Sequence, residues 1–372
     1  MIANGNKELK LLDRAAYEFS KKELAPEREE NDQFPFRPFF NSILEKAYDL
    51  DFFHSILPET VGGIGQGMDS LCIILDNICR EDSSLGGIIF TNSAAHEILL
   101  SANNTELLKN IVEGSDSAKN FLIAIPVFND PSDVKPMLQA VKHNNGYFLS
   151  GTLDYLVLGG IAGHALLPAI IEGTENYSFF FVDLTEKNVK ISPPVYSLGL
   201  HACPAVDVII NNTQAELVGQ PEAGPVYYEK IVNRLSVAAA AMALGIMKGA
   251  FKEALDYTEK RYQGGRKIIN WSEVRMMLAG MAIDIRNAEM IISRACQAMD
   301  RNEPGWEACS KSAAIHIQKA ACSLTTDGIQ AMGGVGYMKD FGQEKRFRDA
   351  KHLQALFGIT PQKKLKYLKS IL

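Results

Sequence analysis

The apolar residues of this chain change their spacing twice, and that change limits the fold more than any single motif does. From about residue 7 to residue 121 they recur at helical intervals. Leu9, Leu12, Ala16 and Phe19 fall on one face in steps of three and four. The loop Pro58-Glu59-Thr60-Val61-Gly62-Gly63-Ile64-Gly65 interrupts the pattern, and helix is expected again over 68–80 and 94–108. Between residues 122 and 219 the texture is that of short strands. Residues 147–150, 155–158, 165–171, 177–182 and 206–210 are apolar or alternating, and turn formers separate them: Asn144-Asn145-Gly146, Gly159-Gly160, Glu172-Gly173 and Asn211-Asn212. Strands this short and this closely spaced fit a small antiparallel barrel or sandwich. From about residue 227 the helical spacing returns. Residues 237–243 are rich in alanine, which favours helix and close helix packing. Ile315, Cys322 and Ile329 recur every seven residues, which predicts a long bundle helix. The reading is an α+β fold: an N-terminal helical domain over 1–121, a central antiparallel β domain over 122–222 and a C-terminal four-helix-type bundle over 223–372.

Composition narrows the function classes. The 372 residues carry a formal net charge of −6, which argues against a nucleic-acid partner. No uninterrupted apolar run reaches the ~18 residues of a membrane span, and residues 1–23 are polar and mixed in charge, unlike a secretory signal. A cytoplasmic protein is expected. The six cysteines, Cys72, Cys79, Cys203, Cys296, Cys309 and Cys322, are scattered without a CxxC, and the seven histidines form no HxxxH pair, so no metal is expected. Two basic runs, 345–351 and the lysines 363, 364, 366 and 369, could meet a phosphate, but exposed charge on a helix is the commoner explanation.

The chemistry-bearing stretch is Gln330-Ala331-Met332-Gly333-Gly334-Val335-Gly336-Tyr337, followed by Glu344-Lys345-Arg346-Phe347-Arg348-Asp349-Ala350-Lys351. Paired glycines let backbone N–H groups approach a ligand, and consecutive N–H groups in such turns bind anions; alone, the glycines read equally as a helix-terminating turn. Together the two strings resemble the C-terminal signature of the acyl-CoA dehydrogenase family, QxxGGxGY…ERxxRDAK. Other strings follow in the family's order along nearly the whole chain. Residues 57–65 resemble its PEEYGGLG loop, and Gly146-Tyr147 through Gly151-Thr152 its GYxLNGTK turn. Arg234 opens an alanine-rich helix as in R-x₄-A-A-G. Arg261 with Gly264-Gly265 resembles RxxFG.

The resemblance implies the helical–β–helical architecture, FAD as cofactor, and α,β-dehydrogenation of an acyl-CoA thioester. In that reaction a carboxylate removes the α-proton while the β-hydrogen passes as hydride to the flavin. It also implies a dimer or tetramer, with Arg261, Gln330, Gly333 and Gly334 reaching a FAD bound mainly by a neighbouring subunit. An electron-transferring flavoprotein is the family's usual acceptor. The departures cluster where flavin and substrate would react. The base, usually shortly after RDAK, corresponds to Phe357, and the alternative base position, just before the bundle's first arginine, holds Asn233. Neither is a general base at neutral pH, and a positioned base is worth roughly 10²–10⁴-fold in rate. The flavin-facing TEPxAGSD string reads Pro126-Val127-Phe128-Asn129-Asp130-Pro131-Ser132-Asp133, keeping Ser132 and Asp133. In the second flavin-facing string Val157 replaces a threonine, while Tyr155 keeps the aromatic.

Replacement bases are few: Glu229, one turn before Asn233; His201, where the family often has arginine; and Asp154. Each also reads as a solvated or capping side chain. Gly264-Gly265-Arg266-Lys267 reads equally as an approach to a cofactor phosphate or as a helix stop. What reaches across subunits survives better than what holds the chain's own flavin. The expectation is a base-deficient subunit of a heteromeric acyl-CoA dehydrogenase beside a second family member. The alternatives are a non-catalytic, FAD-completing structural subunit and an active homomer with a replacement base.

Overall fold

The computed structural model describes residues 7–34, 39, 42–133, 138–144 and 146–372. Among the described residues six α-helices come first: α1 Lys7–Phe19, α2 Ile43–Asp49, α3 Met68–Ile78, α4 Ser83–Ser101, α5 Thr105–Gly114 and α6 Ala118–Phe121. In α1 the expected stripe turns inward, with Leu9, Ala16 and Phe19 buried and Leu12 partly so. The helix expected over 94–108 is two helices. Asn103 takes a left-handed φ of 58° between α4 and α5, a conformation asparagine tolerates better than most residues. Helix α4 is buried on every side over residues 83–99, so its sequence shows no polar face. Asp82 caps it by accepting from Ser84 N–H at 2.7 Å.

The central strands are β1 Ile123–Ala124, β2 Gln139–His143, β3 Gly146–Val157, β4 His164–Ile171, β5 Tyr177–Asp183, β6 Val189–Ile191 and β7 Ala205–Val218. They form one seven-stranded sheet. Most pairs are antiparallel, while β1 and β2 each run parallel to β4. Two expectations change in detail. The separate strands at 147–150 and 155–158 are one strand, β3, irregular against β7 between Leu149 and Gly151 and between Leu153 and Leu156. Asn211-Asn212 is not a turn, because β7 runs through it. Asn212 holds a φ of 48° and gives its N–H to Ser150 Oγ, so a turn-forming residue serves as a bulge. Of the turn expected at 144–146, Asn145 lies outside the described residues.

After the sheet come α7 Gly224–Lys260, a hairpin of β8 Tyr262–Gln263 and β9 Arg266–Lys267, then α8 Ser272–Asp300, α9 Trp306–Met332, α10 Gln343–Leu353 and α11 Thr360–Ile371. Helix α7 is long and apolar enough to cross a membrane by length and composition, but 78% of its most apolar stretch is buried inside the protein. Its alanines 238–241 and 243 are fully packed. A Cβ at Gly245 would lie 2.4 Å from the carbonyl oxygen of Asp76, so only glycine lets α7 pass α3 this closely.

The first basic run, 345–351, is largely a buried ion network. Lys345 Nζ lies 2.7 Å from Asp349 and 3.2 Å from Asp82, Arg346 pairs with Glu253, and Arg348 pairs with Asp32 and Glu344. Asp349 also accepts from Leu200 N–H at 2.8 Å, and His201 Nδ1 lies 2.8 Å from Asp32. Burial opposes ionisation of Asp32, yet the hydrogen bond from His201 and the charges of Lys345 and Arg348 hold its carboxyl down at about 2. The signature helix thus fastens the N-terminal helices and the 197–202 loop to the bundle.

Candidate active site

Three segments meet where the flavin-facing residues were expected. The first leaves β1: Ile125 bridges to Val157, and Val127 and Phe128 follow, both buried. The second is the irregularity in β3. Tyr155 sits there with a left-handed φ of 60°, its N–H given to Asp207 Oδ1 at 2.9 Å instead of to the ladder. That turn aims its ring at the third segment, the end of α10. Tyr155 Oη lies 2.9 Å from His352 Nε2, and Gly199 N–H donates to His352 Nδ1 at 3.2 Å. An accepting Nδ1 requires the neutral ring to carry its proton on Nε2, which it gives to Tyr155. Burial keeps the ring neutral by lowering its pKa to about 4. Phe128 packs edge-on to both rings, with centroids 4.7 Å from His352 and 5.6 Å from Tyr155.

Phe357, at the expected base position, is 4% exposed. Its ring packs on Phe90 of α4 at 5.4 Å and Tyr228 of α7 at 6.0 Å, and its N–H donates to Val127 O at 2.8 Å. Two lysines of α11 hold this turn. Lys363 Nζ donates to Gln354 O, Leu356 O and Gln318 Oε1 at 2.8, 3.1 and 2.9 Å, and its burial lowers its pKa to about 8. Lys366 reaches Asp130 at 2.5 Å and Asp133 at 2.7 Å. Lys363 is not the exposed charge that the run suggested, whereas Lys366 is exposed as well as paired.

The other sequence candidates are dispersed. Asn233 lines a different cleft, of about 460 Å³, with Glu97, Arg234 and Trp306. Glu97 is buried there, 2.9 Å from Arg234 Nε; burial raises its pKa against the pull of that guanidinium. Glu229 and Asp154 are exposed. His201 is engaged with Asp32 and with Ser197 O. Ser132 is exposed, its N–H turned back to Asp130 Oδ1.

Arg261 ends α7, giving its N–H to Tyr257 O, and its side chain lines an outer cleft of about 490 Å³ with Arg28, Tyr257 and Phe341. Gly264 and Gly265 are not a helix stop. They form the tip of the β8–β9 hairpin with φ of 63° and 81°, as a two-residue turn of this kind requires, and Arg266 stacks on Trp271 at 4.3 Å. Gln330, Gly333 and Gly334 are exposed, and a Cβ on either glycine would meet nothing within 4 Å.

Comparison with known proteins agrees with this architecture. The family descriptions "Acyl-CoA dehydrogenase, C-terminal domain" and "Acyl-CoA dehydrogenase, N-terminal domain" match residues 226–361 and 6–113. The chain belongs to the acyl-CoA dehydrogenase superfamily. It is 28% identical to an acyl-CoA dehydrogenase of Bacillus subtilis, covering 94% of this chain and 95% of the other. It is 25% identical to the caffeyl-CoA reductase-Etf complex subunit CarC of Acetobacterium woodii, covering 92% of each. Butyryl-CoA dehydrogenase from Megasphaera elsdenii shares the fold with a TM-score of 0.89 at 18% identity, covering 99% of both chains.

Superfamily membership and fold imply a FAD site, and the residues here fit that group unequally. Where the family's flavin-facing strings meet the base position, Phe128 packs on the half-buried rings of Tyr155 and His352, and Phe357 packs on Phe90 and Tyr228, so these side chains are spent on one another and offer a bound group few free polar partners. The Gly333-Gly334 turn is open to the outside, and its exposed backbone fits a group presented by a neighbouring chain. His352 escaped the sequence reading, since only its contact with Tyr155, 197 residues away, gives it meaning. Glu97 escaped it as well; no motif marks it, and its partner Arg234 lies 137 residues on.

Proposed function

We propose that this chain is a base-deficient subunit of a heteromeric, FAD-dependent acyl-CoA dehydrogenase acting in α,β-dehydrogenation of an acyl-CoA thioester. The carboxylate that removes the α-proton belongs to a second family member. This chain contributes Arg261 and the Gln330–Gly334 turn to the cofactor carried there: Arg261 as a two-pronged phosphate partner, the glycines as close-approaching N–H donors. The observation that carries the reading is Phe357, whose side chain and N–H are both spent on the chain's own packing at the position the family uses for its base. Relatives named as acyl-CoA dehydrogenases support the reaction class, and one named as a subunit of a reductase-Etf complex supports a multi-chain setting that includes an electron-transferring flavoprotein. The active-homomer alternative loses its first candidate, because Glu229 is exposed and lacks the apolar pocket that poises a carboxylate for proton abstraction. A cytoplasmic setting belongs to the same proposal, with unpaired cysteines in its support.

The test is co-expression with a family member carrying glutamate at the position of Phe357, followed by turnover assays over a series of acyl-CoA chain lengths. Turnover by the mixed assembly, absent from this chain alone, is the expected result. Turnover by the pure chain would overturn the proposal.

A further inference from the structure

Where α3 of the N-terminal domain meets α8 of the bundle, three pairs of side chains follow one another in opposite order along the two helices. At one end Asp69 faces Asp300. A Cβ on Gly67 would lie 3.0 Å from a carboxylate oxygen of Asp69 and 3.5 Å from one of Asp300, and burial together with the charge of Asp300 raises the pKa of Asp69. In the middle the sulfurs of Cys72 and Cys296 are in contact at 3.8 Å. At the other end Lys248 of α7 holds both helices, its Nζ 2.6 Å from Asp76 and 3.0 Å from Glu289. The contact is thus clamped at one end and carries like charges at the other. Helix α3 packs mostly on α7 and α1 and meets α8 only locally.

Both thiols are buried, at 0% and 2% exposure, and neither is in a disulfide. Closing their gap to the roughly 2 Å of a disulfide takes a combined movement of about 1.8 Å, within the sweep of a side chain that turns about a single torsion. Cys72 is held as the neutral thiol. The hydrogen bond with Cys296, burial, and the carboxylates of Asp69 and Asp76, one turn away on either side, all raise its pKa. Water and solutes reach the pair only when α8 parts from α3, and the repulsion between Asp69 and Asp300 favours such a parting at their end. Local openings of this kind expose core groups without unfolding the rest of a protein.

We propose that Cys72 and Cys296 form a peroxide-sensitive lock between the N-terminal helical domain and the bundle. It goes beyond the heteromeric reading and needs no second chain. In the first step the Cys296 thiolate attacks one oxygen of hydrogen peroxide. The O–O bond breaks, a sulfenic acid forms, and hydroxide leaves with the thiol's proton as water. In the second the Cys72 sulfur attacks the sulfenic sulfur. The S–S bond forms, the S–O bond breaks, and hydroxide leaves with the Cys72 proton as water. Two thiols give up two electrons, and one peroxide becomes two waters. The new bond then blocks the opening that admitted the peroxide, and a thiol reductant reverses it.

The purified chain incubated with hydrogen peroxide, unfolded in N-ethylmaleimide and digested without reductant shows where the sulfurs went. A peptide joining the α3 and α8 segments through Cys72 and Cys296, lost on treatment with dithiothreitol, is the expected product. The half-buried Cys309 reports that the oxidant has acted. Recovery of Cys72 and Cys296 as two N-ethylmaleimide adducts, after Cys309 has been consumed, would overturn the proposal. Melting of the oxidised chain against the same sample reduced with dithiothreitol gives a second reading, in which any methionine oxidation is common to both. The cross-linked cysteines lie 224 positions apart, and a cross-link over so long a loop should raise the melting temperature by about 3–6 °C. That difference should vanish in Cys72→Ser and in Cys296→Ser. Equal melting temperatures in the wild type, or a rise that survives Cys296→Ser, would refute the lock.

Discussion

The backbone N–H of Phe357 donates to the carbonyl oxygen of Val127 across 2.8 Å, tying the α10–α11 connection to the segment that leaves β1. Phe357 holds a left-handed φ of 59° to make that bond, a conformation that strains a bulky residue and persists only where its surroundings fix it. At the position where the resemblance places the family's base, the structure has a packed phenyl ring and a committed N–H.

Phe357→Ala should therefore lower stability by about 3–5 kcal/mol, the usual cost of deleting a well-packed phenyl ring. Urea denaturation of the wild type and the variant measures it. A loss below about 1 kcal/mol would mean that the ring is loosely held. Phe357→Glu should not restore activity to the isolated chain, since a carboxylate there meets Phe90 and Tyr228 and an N–H already committed to Val127. Rapid mixing of that variant with FAD and acyl-CoA, monitored for flavin bleaching, checks this.

Lys345 sits between two buried carboxylates, Asp349 and Asp82, whose charges raise its pKa despite the cost of burial. Removing one member of a buried pair leaves an uncompensated charge, at a cost of about 3–5 kcal/mol. Lys345→Met should show that loss in a thermal or denaturant melt. A phosphate-binding lysine on a solvated helix would show almost none.

How much of this was legible in advance depends on the distance over which a residue finds its partner. The helical spacing in α1 and the alanines of α7 announce their faces locally, and the structure keeps them. Helix α4 is buried all round, so its sequence hid its boundary with α5. Asn211-Asn212 and Gly264-Gly265 are turn chemistry used for a bulge and a hairpin tip. The site was less legible. Arg348 acquires its role from Asp32, 316 residues away, and His352 from Tyr155, and no periodicity encodes such pairs. Motif order located the seam, but only packing shows Phe128, Tyr155 and His352 meeting across it.

Acidification should destabilise the fold partly through His96, which is fully buried with its ring 4.8 Å from that of Phe121. Burial, with a smaller contribution from His54, lowers its pKa from 6.5 to about 3. The folded pKa lies below the unfolded one, so protons favour the unfolded chain. The neutral-pH stability is intact above about 6.5 and falls as pH drops toward 3, by up to about 1.4 kcal/mol per unit for this residue. His352 acts in the same direction, whereas His201, with its pKa raised, opposes. Urea midpoints at pH 7, 5.5 and 4.5 should fall more steeply for the wild type than for His96→Leu. Parallel curves would exclude His96 as a contributor.

Arg261→Ala and Gly334→Val should each lower the flavin content of the mixed assembly while leaving the melting temperature of the isolated chain within about 2 °C. Both positions are exposed, and surface changes away from packed features alter stability by about 0.5 kcal/mol or less. The added valine meets nothing in this chain and obstructs only a group arriving from outside. Full flavin retention in both variants would assign these residues to the fold alone.

Association should run through the outer face of α8. Met276, Ile283 and Met290 recur every seven residues along that helix and are 67%, 60% and 51% exposed. Spaced at two turns, they form a single apolar stripe, and Ala279 and Gly280 between the first two let a facing helix approach closely. Large apolar side chains aligned in this way on a solvent face mark an interaction surface. A charge placed in its middle faces an apolar partner and loses its hydration on assembly. Ile283→Asp should therefore shift the chain toward monomer, raising the dissociation constant at least tenfold, with little effect on the fold of the isolated chain. Multi-angle light scattering and sedimentation velocity, with and without the second chain, read the mass directly. An Ile283→Asp variant that assembles as tightly as the wild type would place the interface on another face of the bundle.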